Sequence, residues 1–177
     1  QIPEVGDYFL RNFGSESIIL LRDDDHHVRA FHNVCRHRGT RLCTEREGQF
    51  SKRIQCPYHA WNYALDGRLM GAPSMDGCEG FDKDAYPLRG IALQIWEGFI
   101  YISLSESPEP FEQAFQSLIG RYARYHLSEL RRARRIEYDV RANWKLIVEN
   151  YSECYHCPSV HPALVLLPER LRSVGCG

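Results

Sequence analysis

Short apolar stretches separated by polar turns make up the first part of the chain. Ile18-Ile19-Leu20-Leu21 is a continuous apolar run, the pattern of a buried strand over Ser17 to Leu21. His27 to Val34 roughly alternates, with Val28 and Ala30 on one face, and Asp23-Asp24-Asp25 between the two reads as a polar hairpin turn. A strand ending at Ile54 and another over Trp61 to Ala64 flank a short loop. Asp66-Gly67 is a turn signal that returns the chain through Arg68-Leu69-Met70. Residues 72 to 90, with Pro73, Gly77, Gly80 and Pro87, read as irregular connection. Ile91 to Trp96 and Phe99 to Leu104 flank Glu97-Gly98, a second hairpin. This succession of short strands and turns predicts a small all-β domain.

The pattern changes after Ser105-Glu106-Ser107-Pro108-Glu109-Pro110, which sets an expected boundary between residues 1–106 and 107–177. Phe111 to His126 carries Phe111, Phe115, Leu118 and Ile119 at helical spacing. Arg134 to Ala142 alternates, with Ile136, Tyr138, Val140 and Ala142 facing one way, and predicts a half-buried antiparallel strand. Asn143 is a candidate N-cap for an amphipathic helix through Trp144, Ile147, Val148, Tyr151 and Tyr155. Pro158 cannot continue that helix, because it lacks the N–H and clashes with the previous turn. The fold class expected is α+β: an all-β domain followed by the start of an α+β domain.

Composition narrows the function classes. Twenty-two Lys and Arg against 23 Asp and Glu give a net charge of −1, which argues against nucleic-acid binding through bulk charge. The basic cluster Arg131-Arg132-Ala133-Arg134-Arg135 then reads as a solvated strand face. No apolar run reaches the roughly 20 residues of a membrane helix. No secretory signal precedes the first strand pattern. The seven cysteines are odd in number in a chain that is not short, so a reducing, cytoplasmic setting is expected rather than a disulfide scaffold.

Two loops carry the chemistry. Cys35-Arg36-His37-Arg38-Gly39 is followed, after a long interval, by Cys56-Pro57-Tyr58-His59. Two thiolates on one iron and two imidazoles on the other are the ligand set of a Rieske [2Fe–2S] cluster, here Cys35, His37, Cys56 and His59. A zinc site or a redox thiol pair is the plainer reading, but zinc favours Cys-x₂-Cys or His-x₃₋₅-His spacings, and Cys-x-His with Cys-x₂-His is neither. Tyr58, between two ligands, is read either as packing or as a hydroxyl donor to a cluster or cysteine sulfur.

The segments Cys35 to Leu42 and Cys56 to Gly67 resemble the α subunits of Rieske non-haem iron oxygenases, the aromatic-ring-hydroxylating group. The likeness extends to Glu153-Cys154-Tyr155-His156-Cys157-Pro158-Ser159-Val160-His161, which is similar to the family's mononuclear iron motif. Respiratory Rieske proteins carry two further cysteines near the cluster. Thr40 and Tyr58 stand at those places here, and Cys43 has no obvious partner, which implies a lower-potential relay. The resemblance implies a helix-grip-like catalytic domain in which His156 and His161 are two ligands of a 2-His-1-carboxylate Fe(II) site. The third ligand in the family is an Asp far downstream. The only carboxylate after His161 is Glu169, too close to fit, so the expectation is an incomplete chain or a site not assembled in it.

Glu153 lies one helical turn before His156 on the same expected face, and is read either as an exposed helix carboxylate or, as the resemblance implies, as the family's acidic residue linking the cluster histidine of one subunit to the iron histidine of the next. Asn150, one turn earlier, is a candidate to approach the iron, while Cys154 and Cys157 are read as packing. The resemblance further implies electrons from NAD(P)H through a reductase or ferredoxin, O₂, a small organic substrate, and a homotrimer or α3β3 assembly. Glu153, in place of Asp, is more similar to members that oxidise quaternary ammonium compounds. A non-catalytic electron carrier and an inactive fragment are the alternatives.

Overall fold

A computed structural model describes residues 2–166 apart from 76 and 154. The chain divides between Leu130 and Arg131 into two compact units.

In the first unit, β1 (Asp7–Phe13), β2 (Glu16–Arg22), β3 (Val28–His32) and β4 (Glu47–Gln49) form an antiparallel sheet in the order β3-β2-β1-β4. The continuous apolar run in β2 has a direct cause. Ile19 and Leu21 face one core with Tyr8, Phe31, Trp61, Tyr63 and Leu65, while Ile18 and Leu20 face another with Ala30 and Ile91. A strand covered on both faces needs no polar alternation. β1 was not anticipated. Its neighbours β2 and β4 supply the ladders, with β2 paired from Tyr8↔Leu21 to Phe13↔Glu16, and a weakly patterned segment does not advertise such partners.

A second sheet, β5 (Ile54–Gln55), β6 (Asn62–Tyr63) and β7 (Leu69–Gly71), holds the second Cys–His loop between β5 and β6. β8 (Ala92–Trp96) and β9 (Phe99–Ser103) make the third. Their turn has φ +51° at Glu97 and +81° at Gly98, the two positive values that a two-residue hairpin with native twist requires.

Residues 111–126 are not one helix. Only α1 (Phe111–Ala114) forms, followed by turns and two 3₁₀ segments. Gly120 and His126 are both left-handed, which ends a right-handed helix, and the aromatic side chains are drawn onto the hairpin instead. Phe111 and Phe115 stack on each other and pack against Trp96 and Tyr101.

In the second unit, residues 134–142 do not form the expected strand. Ile136, Tyr138 and Val140 are exposed, and among the described residues no strand pairs with the segment. Alternation alone is not enough, because a half-buried strand also needs a ladder partner and a covering layer. Asn143 does cap α2 (Trp144–Ser152), its Oδ1 accepting the Lys145 N–H at 3.0 Å. Pro158 lies in the first turn of α3 (Cys157–Val160), where its missing N–H costs nothing, and α4 (Pro162–Val165) follows.

Candidate metal centres

The two Cys–His loops share one backbone design. The Cys35 N–H donates to Thr40 O at 2.8 Å and Gly39 N–H to Cys35 O at 3.1 Å. In the second loop, Cys56 N–H donates to Trp61 O at 2.7 Å and Ala60 N–H to Cys56 O at 3.1 Å. Both loops turn through a left-handed residue, Gly39 at φ +73° and Ala60 at φ +55°. Glycine fits that conformation freely and alanine does so with strain.

This geometry brings together the four residues that the sequence singled out. Cys35 and Cys56 are each 2% exposed. The His37 and His59 rings meet edge-on with centroids 4.8 Å apart, and His37 lies flat on the Trp61 indole at 4.8 Å. Phe81 and Tyr86 pack edge-on against that indole from 5.8 Å. His59 Nδ1 is buried and has no hydrogen-bond partner. A buried, orphaned ring nitrogen beside buried thiols is what a metal centre would satisfy.

The electrostatics agree with that donor set. Burial pushes the Cys35 thiol above its usual range. Cys56 adds to the rise, and hydrogen bonds from Tyr63 and the His37 backbone oppose it. A bound metal removes that penalty by taking the thiolate directly. Burial, then His59 and Arg38, hold His37 below the usual imidazole range, so the ring is neutral and can ligate.

Tyr63, not Tyr58, reaches a sulfur. The Tyr63 Oη accepts the Arg36 N–H at 3.1 Å and lies 3.3 Å from Cys35 Sγ, where it would donate to the sulfur once Cys35 is a thiolate. Burial and the Cys35 contact push the Tyr63 hydroxyl far above its ordinary pKa, so it stays a donor. Tyr58 is 60% exposed and its ring lies over His59 at 3.7 Å. The missed signal was position: Tyr63 leaves the second loop on β6 with its side chain pointing into the core. Cys43 is a free thiol, pushed up to about 11 by burial.

The second centre lies around α3. His156 and His161 bracket that one-turn helix, and their rings sit 5.3 Å apart at 75°. Glu153 is not on a helical face. It is the extended C-cap residue of α2, and from there one carboxylate oxygen bonds His156 Nδ1 while the other accepts the Tyr155 N–H. The His156 contact, ahead of the backbone bonds, holds the Glu153 carboxyl below its usual range. With Nδ1 engaged, Nε2 of His156 is the nitrogen free for a metal. Asn150 is exposed on α2, Cys157 is buried, and Cys154 and Glu169 lie outside the described residues.

Among the described residues, three metal-binding side chains also gather at Asp23, Asp25 and His27. Asp23 is already used there. It accepts the Asp25 and His27 N–H groups and pairs with Arg29 Nε at 2.6 Å, closing the β2–β3 turn.

The family model for the Rieske [2Fe-2S] domain matches residues 1–87, and that for the ring hydroxylating alpha subunit (catalytic domain) matches residues 127–174. The chain belongs to the Rieske oxygenase α subunits. The cofactors of this family are a [2Fe–2S] cluster and a mononuclear Fe(II); the two thiols and two imidazoles fit the first, and His156 and His161 fit two of the three ligands of the second. The Rieske oxygenase chain is 41% identical over 165 residues to the glycine betaine monooxygenase oxygenase subunit of Chromohalobacter salexigens, covering 93% of this chain and 37% of that protein. It is 38% identical to the carnitine monooxygenase oxygenase subunit of Escherichia coli, over 92% of this chain and 44% of that one. The structure of the quaternary ammonium Rieske monooxygenase CntA in complex with L-carnitine superposes with a TM-score of 0.83 at 36% identity, over 93% of this chain and 47% of that one. Naphthalene 1,2-dioxygenase from Rhodococcus sp. gives 0.74 at 30% identity, over 94% of this chain and 40% of that one. The chain spans less than half the length of these curated relatives. No described helix is long and apolar enough to cross a membrane.

Proposed function

We propose that this Rieske oxygenase chain serves an O₂-dependent monooxygenase acting on a small quaternary ammonium compound. In this reading Cys35, His37, Cys56 and His59 hold the [2Fe–2S] cluster in a Rieske domain over residues 1–106. His156 and His161 hold Fe(II) in a catalytic domain that begins at about residue 107. The observation that carries the reading is the convergence of two buried thiols and two imidazoles that meet edge-on, with His59 Nδ1 left unsatisfied. The substrate class rests on the named activities of the glycine betaine and carnitine relatives.

When bound, the cluster supplies single electrons and the Fe(II) supplies redox chemistry toward O₂. The chain's own residues prepare both sites. Trp61 fixes the plane of His37, and the Tyr63 hydroxyl donates to Cys35 Sγ. Glu153 keeps the proton of His156 on Nδ1, so that Nε2 faces outward as a ligand. In the assembled protein Glu153 is the link between the cluster histidine of one subunit and the iron histidine of its neighbour, which calls for a trimer. Electrons come from a reductase or ferredoxin fed by NAD(P)H, in the cytoplasm.

Iron and acid-labile sulfide per chain test this reading, followed by O₂ uptake with glycine betaine and carnitine in the presence of a reductase. About three irons and two sulfides per chain are expected, with substrate-dependent uptake. Two irons with two sulfides would mean that the mononuclear site is empty in this chain, as in an electron carrier or an inactive fragment, and absence of sulfide would refute the cluster ligands.

A further inference from the structure

The two ligand loops share a turn but not a foundation. The second loop stands on a ladder: Gln55↔Asn62 and Ile54↔Tyr63 pair directly beneath it. The first loop leaves β3 at His32, and its return limb through Leu42 and Cys43 pairs with no strand before β4 joins β1. One side chain stands where those rungs are missing. Asn33, fully buried at 0% exposure, accepts the Leu42 and Cys43 N–H groups at 3.0 Å each through Oδ1. Through Nδ2 it donates to Cys43 O at 2.7 Å and to Ser17 Oγ at 3.2 Å. Its backbone N–H is anchored on Ser17 O at 2.8 Å. Both donors and both acceptor sites of the carboxamide are in use, which is the full capacity of an asparagine. A primary amide is a detached peptide group, and here it pairs as one.

We propose that Asn33 is the positioning residue of the first ligand loop, setting where Cys35 and His37 stand relative to Cys56 and His59. It touches none of the ligands. It acts by tying the return limb to the strand that delivers Cys35, two residues before that ligand. Deleting the side chain takes the partner from two loop N–H groups and one carbonyl around a fully buried position, so the limb must shift to recover them. Ser17 is the outer support, and its hydroxyl bond is the longest of the set.

The inference rests on the cluster assignment above, and the test separates the two. In the metal-free protein, hydrogen exchange at the Leu42 and Cys43 amides is compared between the unmodified chain and Asn33→Ala. About tenfold faster exchange is expected at those two sites, with Ile18 and Leu20 in β2 unchanged. In the loaded protein, Asn33→Ala is expected to shift the reduction potential and the g-values of the reduced cluster. Asn33→Asp, which keeps the acceptor of the Leu42 and Cys43 N–H groups but loses the donor to the Cys43 carbonyl, is expected to give exchange and g-value changes smaller than those of Asn33→Ala. Ser17→Ala is expected to leave the spectrum unchanged. If the alanine variant does not fold, Asn33→Ser, too short to reach the return limb, replaces it with the same expected results. A fully loaded Asn33→Ala protein with a lower melting temperature but unaltered potential and g-values would overturn the proposal, as would unchanged exchange at Leu42 and Cys43. An unmodified chain that takes up no cluster would refute the ligand assignment alone, because the metal-free exchange still reads the clamp.

Discussion

Replacing Tyr63 by Phe removes one oxygen and leaves the ring, which is fully buried among β2, β5 and the cluster loops. Two bonds go with that oxygen: the Arg36 N–H donor at 3.1 Å and the contact with Cys35 Sγ at 3.3 Å. Leaving the Arg36 N–H unpaired costs about 2 kcal/mol, roughly 4–8 °C in melting temperature for a chain of this size. The sulfur contact has a second effect. Reduction adds negative charge to the cluster and its sulfurs, so a hydroxyl donor binds the reduced form more strongly than the oxidised form. A difference of about 1 kcal/mol between the two states corresponds to about 40 mV for one electron. Because the donor favours the reduced form, its loss lowers the potential. The assay is an equilibrium redox titration of the fully loaded Tyr63→Phe protein followed by its visible and EPR spectra. Tyr58→Phe is the control, since that side chain is exposed and contacts the site only through its ring. A potential unchanged in Tyr63→Phe, or lowered equally in Tyr58→Phe, would refute the reasoning.

Ala60→Gly should stabilise the protein by about 0.5 kcal/mol, because relief of a left-handed alanine outweighs the entropy that glycine adds to the unfolded chain; thermal melts check this, and a lower melting temperature would contradict it. Asp23 should supply an acid-sensitive contribution to stability. Burial alone would raise its carboxyl, but the Arg29 bond and the His27 and Asp25 N–H groups outweigh burial and hold it below its usual range. A depressed folded pKa gives stability that is complete above the unfolded value of about 3.9 and is lost as pH falls through the folded value. Asp23→Asn should therefore have a lower urea midpoint than the unmodified protein at neutral pH, with the gap narrowing below about pH 4; a gap independent of pH would sink the idea. Truncation after Leu130 should leave the iron–sulfur spectrum intact, because both hydrophobic cores of the first unit lie upstream of that residue, and loss of the spectrum would show otherwise.

What could be read from the sequence was the part written in short range. The apolar run of β2, the Glu97-Gly98 turn and the Asn143 cap each depend on a few neighbouring residues, and each stands where the pattern put it; the Cys–His spacings mark two loops whose histidine rings the fold brings together. What could not be read depended on distant partners. β1 exists because β2 is there to pair with it. Residues 134–142 carry a strand pattern but have no ladder among the described residues. The tyrosine at the sulfur is the one that a ladder carries inward, not the one between two ligands. The Phe111–His126 periodicity was real, but its aromatic rings pack on the β8–β9 hairpin rather than along a helix.

The two candidate centres are held by different means. Around the cluster, the ligand loops are closed by backbone bonds and rest on a ladder or on Asn33, beside a core that buries Trp61, Tyr63 and Leu65. Around the second pair of histidines the described bonds are local. Asn143 caps α2, the Glu153 carboxylate engages His156 Nδ1 from the C-cap of that helix, and the one-turn α3 sets the separation of His156 from His161. The two candidate ligand sets are thus tied differently: Cys35 and Cys56 through loops that rest on Asn33 and on a ladder, His156 through a neighbouring carboxylate and a single helical turn.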